Sequence, residues 1–164
     1  MANPLGRYGQ ETDDEQEYAT VVLVDAPLVI WQRATEHHDE LMREMALLAL
    51  AKDRPELPNR LLQLVDVLGS TYGAAGDRYD DLDRHEALAR GEDRATLTFS
   101  VPLSQGPRAL QMRALLDEAD EYCRTHLLTL QQPPVEAAFA RWYVEQFARQ
   151  CAGGDPEPWP GPWS

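Results

Sequence analysis

The sequence predicts an α+β fold, predominantly helical, with about five helices and two or three short strands. Two observations carry this reading. A β-type run ending in proline occurs twice, as Val21-Val22-Leu23-Val24-Asp25-Ala26-Pro27 and as Leu97-Thr98-Phe99-Ser100-Val101-Pro102. After each run the period of the apolar residues changes from that of a strand to that of a helix. At 164 residues and 43% hydrophobic composition, the chain has the length and apolar content of an ordinary folded domain.

Residues 1–18 read as a disordered acidic arm, because Glu11, Asp13, Asp14, Glu15 and Glu17 offer nothing to bury. A single globular domain is expected over residues 19–151. Its first strand should run from about Thr20 to Val24, and unbroken apolar character there predicts cover on both faces. Pro27 suits the first turn of a helix, where its missing N–H has no partner to lose. That helix should reach about Ala51, with Trp31, Ala34, His38, Leu41, Met45 and Leu48 on one face. A second helix is expected after Pro58, with Leu61, Val65, Leu68 and Tyr72 as its stripe, ending near Gly73. A third, polar helix from Asp77 to about Arg90 should stop at Gly91 and carry Asp80–Arg84 and Glu86–Arg90 pairs.

The second strand alternates, with Leu97, Phe99 and Val101 on one side and Thr96, Thr98 and Ser100 on the other. A helix then runs to about Arg124 on a stripe of Met112, Leu115 or Leu116, Ala119, Tyr122 and Cys123. Leu127 to Leu130 is either a third strand or an extended connector. Pro133-Pro134 opens a last helix, whose Phe139, Trp142, Tyr143 and Phe147 supply an aromatic core. Pro27 and Pro102, and then Pro58 and Pro134, recur at nearly one offset. Two strand–helix–helix halves would explain this, and so would chance. Residues 152–164 form a Pro/Trp-rich tail in which proline density favours extended backbone. Trp159 and Trp163 are costly to leave in water, so they should dock on their own domain or in a partner's groove.

A formal net charge of −13 opposes binding to nucleic-acid phosphate and to anionic lipid, so neither is an expected partner. No apolar run is long enough to span a bilayer and no basic–apolar leader follows Met1, which predicts a cytoplasmic protein. Cys123 and Cys151 lack CxxC spacing and are expected to be unpaired and reduced, with a pairing between them as the alternative. Lys52 and Ile30 are the single residues of their types, a bias that points to a high-GC genome.

Chemistry-bearing motifs are sparse. Glu36-His37-His38-Asp39-Glu40, with Arg43 and Glu44, is the richest polar cluster. Adjacent histidines diverge by about 100° on a helix and miss the i,i+4 spacing of metal ligands. His38 should border the apolar stripe while His37 and the glutamates face solvent. Asp117 and Glu121 share a face, where mutual repulsion could raise one pKa towards general-acid work; Asp120 could pair instead with Arg124. No serine sits in a nucleophile elbow, and no glycine-rich stretch has the form of a phosphate loop. No catalytic residue, metal or cofactor is expected. The expected interaction surface comprises Glu36, His37, Glu40, Arg43, Glu44, Asp117 and Glu121, with Trp159 and Trp163 as docking residues of the tail. The alternative is a small enzyme or metal-dependent hydrolase using His37/His38 and the carboxylates; a homo-oligomer is a third option.

Four segments carry a resemblance: Val24-Asp25-Ala26-Pro27, His37 to Glu44, Leu116 to Cys123, and Arg141-Trp142-Tyr143. Over about residues 20–151 the chain resembles an uncharacterised family of small proteins from high-GC Gram-positive bacteria. The resemblance implies a regulatory or protein-interaction module associated with anti-sigma-factor partner switching. Implied partners are an anti-sigma-type ATP-binding protein or a STAS protein. It transfers no catalytic residue.

Overall fold

The structure, a computed structural model, describes residues 17–50, 80–126 and 131–163. Its elements in chain order are β1 (Tyr18–Pro27), α1 (Leu28–Leu50), α2 (Asp80–Ala89), β2 (Arg94–Pro102), α3 (Gln105–His126) and α4 (Pro134–Cys151). The fold is α+β and mainly helical. The acidic arm up to residue 16, the helix expected after Pro58 and the run from Leu127 to Leu130 lie outside the described residues.

β1 and β2 pair antiparallel, with Val21 opposite Phe99 and Leu23 opposite Leu97. These four side chains are buried on the core-facing side, while Thr20, Thr96, Thr98 and Ser100 are exposed on the other. β1 was expected to be covered on both faces. Instead Val22 and Val24 are half-buried, because the sheet is packed by helices on one side. The strand is also longer than expected at both ends. Tyr18 pairs with Pro102, and Leu103 N–H donates to Glu17 O at 2.9 Å.

The register slips between Leu23 and Ala26, where Asp25 adopts a positive φ of 54°. Val24 and Asp25 together oppose Thr96, which is a bulge in β1. Beyond it Pro27 pairs with Arg94, so Pro27 ends a strand instead of opening a helix. Leu28 begins α1 and donates its N–H to Asp93 O at 3.0 Å.

α2 ends as its sequence predicts. Gly91 takes a positive φ of 76°, its N–H donates to Leu88 O, and Glu92 N–H donates to Ala87 O. This pair of bonds is a Schellman closure and requires the left-handed residue that glycine supplies. Glu86 and Arg90 approach to 3.9 Å. Arg84 lies over the Trp31 ring, 5.3 Å from its centroid, and so caps the core; the Asp80 side chain expected to pair with it lies outside the described residues.

α4 lies at the centre of the helical layer, in contact with β1, α1 and α3. Phe139 and Trp142 are buried, and Tyr143 and Phe147 pack on the same cluster. Trp31 meets Phe139 and Tyr143 at centroid separations of 5.6 and 5.3 Å, and Phe99 meets Phe147 at 5.7 Å. One buried carboxylate, Glu136, is matched by Arg33 of α1 at 3.6 Å. Gly106, at the start of α3, allows close approach to the end of α4. A Cβ there would stand 2.9 Å from the Cys151 Cβ.

Candidate functional site

The C-terminal tail folds back along α4. α4 ends in a second Schellman closure, with Gly153 N–H donating to Gln150 O and Gly154 N–H to Arg149 O. The chain then reverses. Trp142 Nε1–H donates to Glu157 O at 3.1 Å, Glu157 N–H donates to Gln146 Oε1 at 2.9 Å, and Arg149 pairs with the Glu157 carboxylate at 2.7 Å. Trp159 enters the core, 4% exposed, with its ring edge-on to Trp142 and Phe139 at 5.5 and 6.0 Å. Trp163 is half-buried beneath the Arg94 guanidinium, 5.2 Å away. The tail therefore occupies a groove of its own chain.

Gln146 and Gln150 are buried polar residues that the sequence reading passed over. They follow Trp142 at i+4 and i+8 and interrupt an apolar stripe. Gln150 bonds the outer edge of β1 as a neighbouring strand would. Its Oε1 accepts from Val22 N–H at 2.8 Å, and its Nε2 donates to Val22 O at 2.9 Å and to Gln146 Oε1 at 3.2 Å. Trp159 N–H donates to Val24 O at 3.0 Å on the same edge. The tail and two glutamines thus fill the role of a third strand. The available signal was a pair of polar residues one turn apart inside an aromatic stripe.

The acidic residues divide between two helices that α4 separates. On α1, Glu36, Asp39, Glu40, Arg43 and Glu44 are exposed. Glu36 accepts from Gln32 Nε2 at 3.0 Å, and no ion pair to Asp39, Glu40 or Glu44 occurs among the described residues. On α3, Asp117, Asp120 and Glu121 each have a partner. Asp117 pairs with Arg113 at 3.5 Å, and Arg113 also bonds Glu145 of α4. Glu121 holds Arg124 through both carboxylate oxygens. Arg124 keeps the Glu121 carboxyl below the ordinary range, by hydrogen bonding first and by charge second. Glu121 is therefore not a raised, general-acid carboxyl. Asp120 accepts Gln132 N–H at 3.1 Å and ties the helix to the chain that follows, so Arg124 goes to Glu121.

The two histidines point apart, as adjacent residues on a helix must. His37 was expected in solvent but is half-buried, and its Nε2 has no hydrogen-bond partner among the described residues. Burial pushes the His38 imidazole below its ordinary value of 6.5; Asp39 opposes the shift and His37 adds to it. The consequence for stability has a definite sign. Above about pH 6.5 the histidine is neutral in both states and costs nothing. As the pH falls below that value, the unfolded chain takes the proton first, so stability drops until the lowered native pKa is reached. Thermal melts should show this decline as the pH is lowered below about 6.5, and His38→Gln should flatten it. An unchanged slope in the variant would assign the decline to other groups.

Among the described residues, no group of three His, Cys, Asp or Glu side chains is placed to hold a metal ion. Burial raises the Cys151 thiol above its ordinary value, only partly offset by a bond from the Gly106 backbone, so it is a poor nucleophile. An open cleft of about 460 Å³ between α2 and β2 carries Asp83, Glu86, Arg90, Glu92 and Arg94. Its cations are already engaged: Arg90 by Glu86 and Glu92, and Arg94 by Trp163. No described helix is long and apolar enough to cross a membrane. Comparison with family models, curated proteins and solved structures finds no match to this chain.

Proposed function

We propose that this chain is a cytoplasmic regulatory, protein-interaction module that docks a basic protein surface on the acidic face of α1. The observation that supports it most is the contrast between the helices. Asp117 and Glu121 of α3 are matched by arginines, whereas Asp39, Glu40 and Glu44 of α1 are exposed with no ion pair among the described residues. Unpaired surface charge of one sign steers and orients an oppositely charged partner. Glu36 and Arg43 border the same surface. Following the family resemblance, the setting is anti-sigma-factor partner switching. The proposed partner is then an anti-sigma-type ATP-binding protein or a STAS protein.

The test is binding of such a partner, purified, to full-length protein and to two double variants. Glu40→Lys with Glu44→Lys should weaken binding by about tenfold or more, and added salt should weaken wild-type binding. Asp117→Asn with Glu121→Gln should change it little. Equal affinity for wild type and the α1 variant, with the fold intact by circular dichroism, would exclude the α1 face.

A further inference from the structure

The two edges of the sheet are treated differently. Val22 directs both its N–H and its C=O to Gln150, away from β2, and Val24 O accepts from the tail. In an antiparallel pair this makes Val22 and Thr98 a non-hydrogen-bonded pair. Thr98 therefore also points its N–H and C=O away from β1. By the same alternation so does Ser100, opposite Thr20. No partner for these backbone groups occurs among the described residues. β2 itself carries none of the usual protections of an edge: the slip lies in β1, and no lysine or internal proline interrupts residues 95–101.

We propose that β2 pairs antiparallel with β2 of a second copy of this chain, about a two-fold axis at Phe99, to form a continuous four-stranded sheet. In that register Thr98 of one copy faces Ser100 of the other, and each exchanges the N–H and C=O bonds that the edge leaves open. The side-chain faces agree as well. Thr98 meets Ser100 on the solvent side, and Leu97 meets Val101 on the core-facing side, so polar adjoins polar and apolar adjoins apolar. Charge favours this strand over the rest of the surface. The chain has 28 acidic residues, yet none lies between Arg94 and Ser104, so like charges are not placed opposite one another across the seam. Pro102, without an N–H, ends the ladder on one side, and α2, lying against the Arg94–Leu97 end, bounds it on the other. The patch is self-complementary, as an isologous dimer requires. The sheet also gains the strand number that a lone pair lacks. This inference uses none of the α1 face and stands or falls separately from it.

Sedimentation or light scattering on the full chain tests it across a wide range of protein concentration. The expected mass rises with concentration to twice the 18.5 kDa of one chain. Amide exchange at Thr98 and Ser100 should slow by about tenfold or more over the same range. Thr98→Pro removes one outward N–H at an edge position and should leave a monomer. If that variant fails to fold, the wild-type exchange data decide. A chain of single mass at all concentrations would overturn the proposal, as would a dimer whose Thr98 and Ser100 amides exchange freely.

Discussion

Trp159→Ala should lower the unfolding free energy by about 3–5 kcal/mol, the range for removing a large aromatic side chain from a packed core. The indole is nearly enclosed, and it contacts Trp142 and Phe139 edge-on, a geometry that adds to simple area burial. Its loss also frees the partners it organises. Its Nε1–H donates to Pro162 O at 2.5 Å and holds the end of the tail in place. Removing the ring should therefore loosen the Trp142–Glu157 and Gln146–Glu157 bonds. Urea unfolding followed by circular dichroism measures the effect. Trp163→Ala is the informative control, because that ring is only half-buried, at the margin of the core and beneath Arg94; it should cost less, about 1–2 kcal/mol. A Trp159→Ala chain within about 1 kcal/mol of wild type would show that the tail does not contribute to the core.

Gln150→Leu should cost about 2–4 kcal/mol, although leucine is the more hydrophobic residue. The carboxamide supplies one acceptor and one donor at the spacing of a peptide group, and Val22 uses both. Leucine would leave the Val22 N–H and C=O unpaired in a partly buried site, and Gln146 would lose a partner. Gln150→Glu separates the chemistry from the volume. Its carboxylate could accept from Val22 N–H, but it would face Val22 O and Gln146 Oε1 with no proton to give. Both variants should be destabilised, with faster amide exchange at Val22. A leucine variant as stable as wild type would mean that this edge is satisfied in another way.

The strands, the long helices and the aromatic stripe were legible because each rests on a local period. Alternation from Thr96 to Val101 places Leu97 and Phe99 inward whatever they pack against. Phe139, Trp142, Tyr143 and Phe147 fall on one face of any helix. Gly91 marked a helix end because its closure needs a left-handed residue. Other features were not legible, for reasons equally local. Pro27 is compatible with a helix start and with a strand end, and its pairing with Arg94 settles the choice. Asp120 and Glu121 are equally plausible partners of Arg124 in sequence, and the bond from Gln132 N–H to Asp120 decides between them. Gln150 went unremarked because its partner, Val22, lies at the far end of the chain.

For the candidate surface the sequence supplied the composition and the structure supplied the contrast. Helical spacing alone puts Glu36, Glu40 and Glu44 on one side of α1 and Asp117 and Glu121 on one side of α3. It does not say which carboxylates are neutralised, since that depends on where Arg113, Glu145 and Arg124 come to lie. Sequence by itself therefore determined what short-range physics controls: element type, the apolar faces, the acidic character and a tail too aromatic to stay in water. Tertiary structure alone decided where that tail goes and, among the described residues, which sheet edge is closed and which is open and which charges stand without an ion pair. Those outcomes depend on contacts between segments far apart in the chain, and hydrogen bonds and ion pairs form only where folding brings their partners within about 3–4 Å.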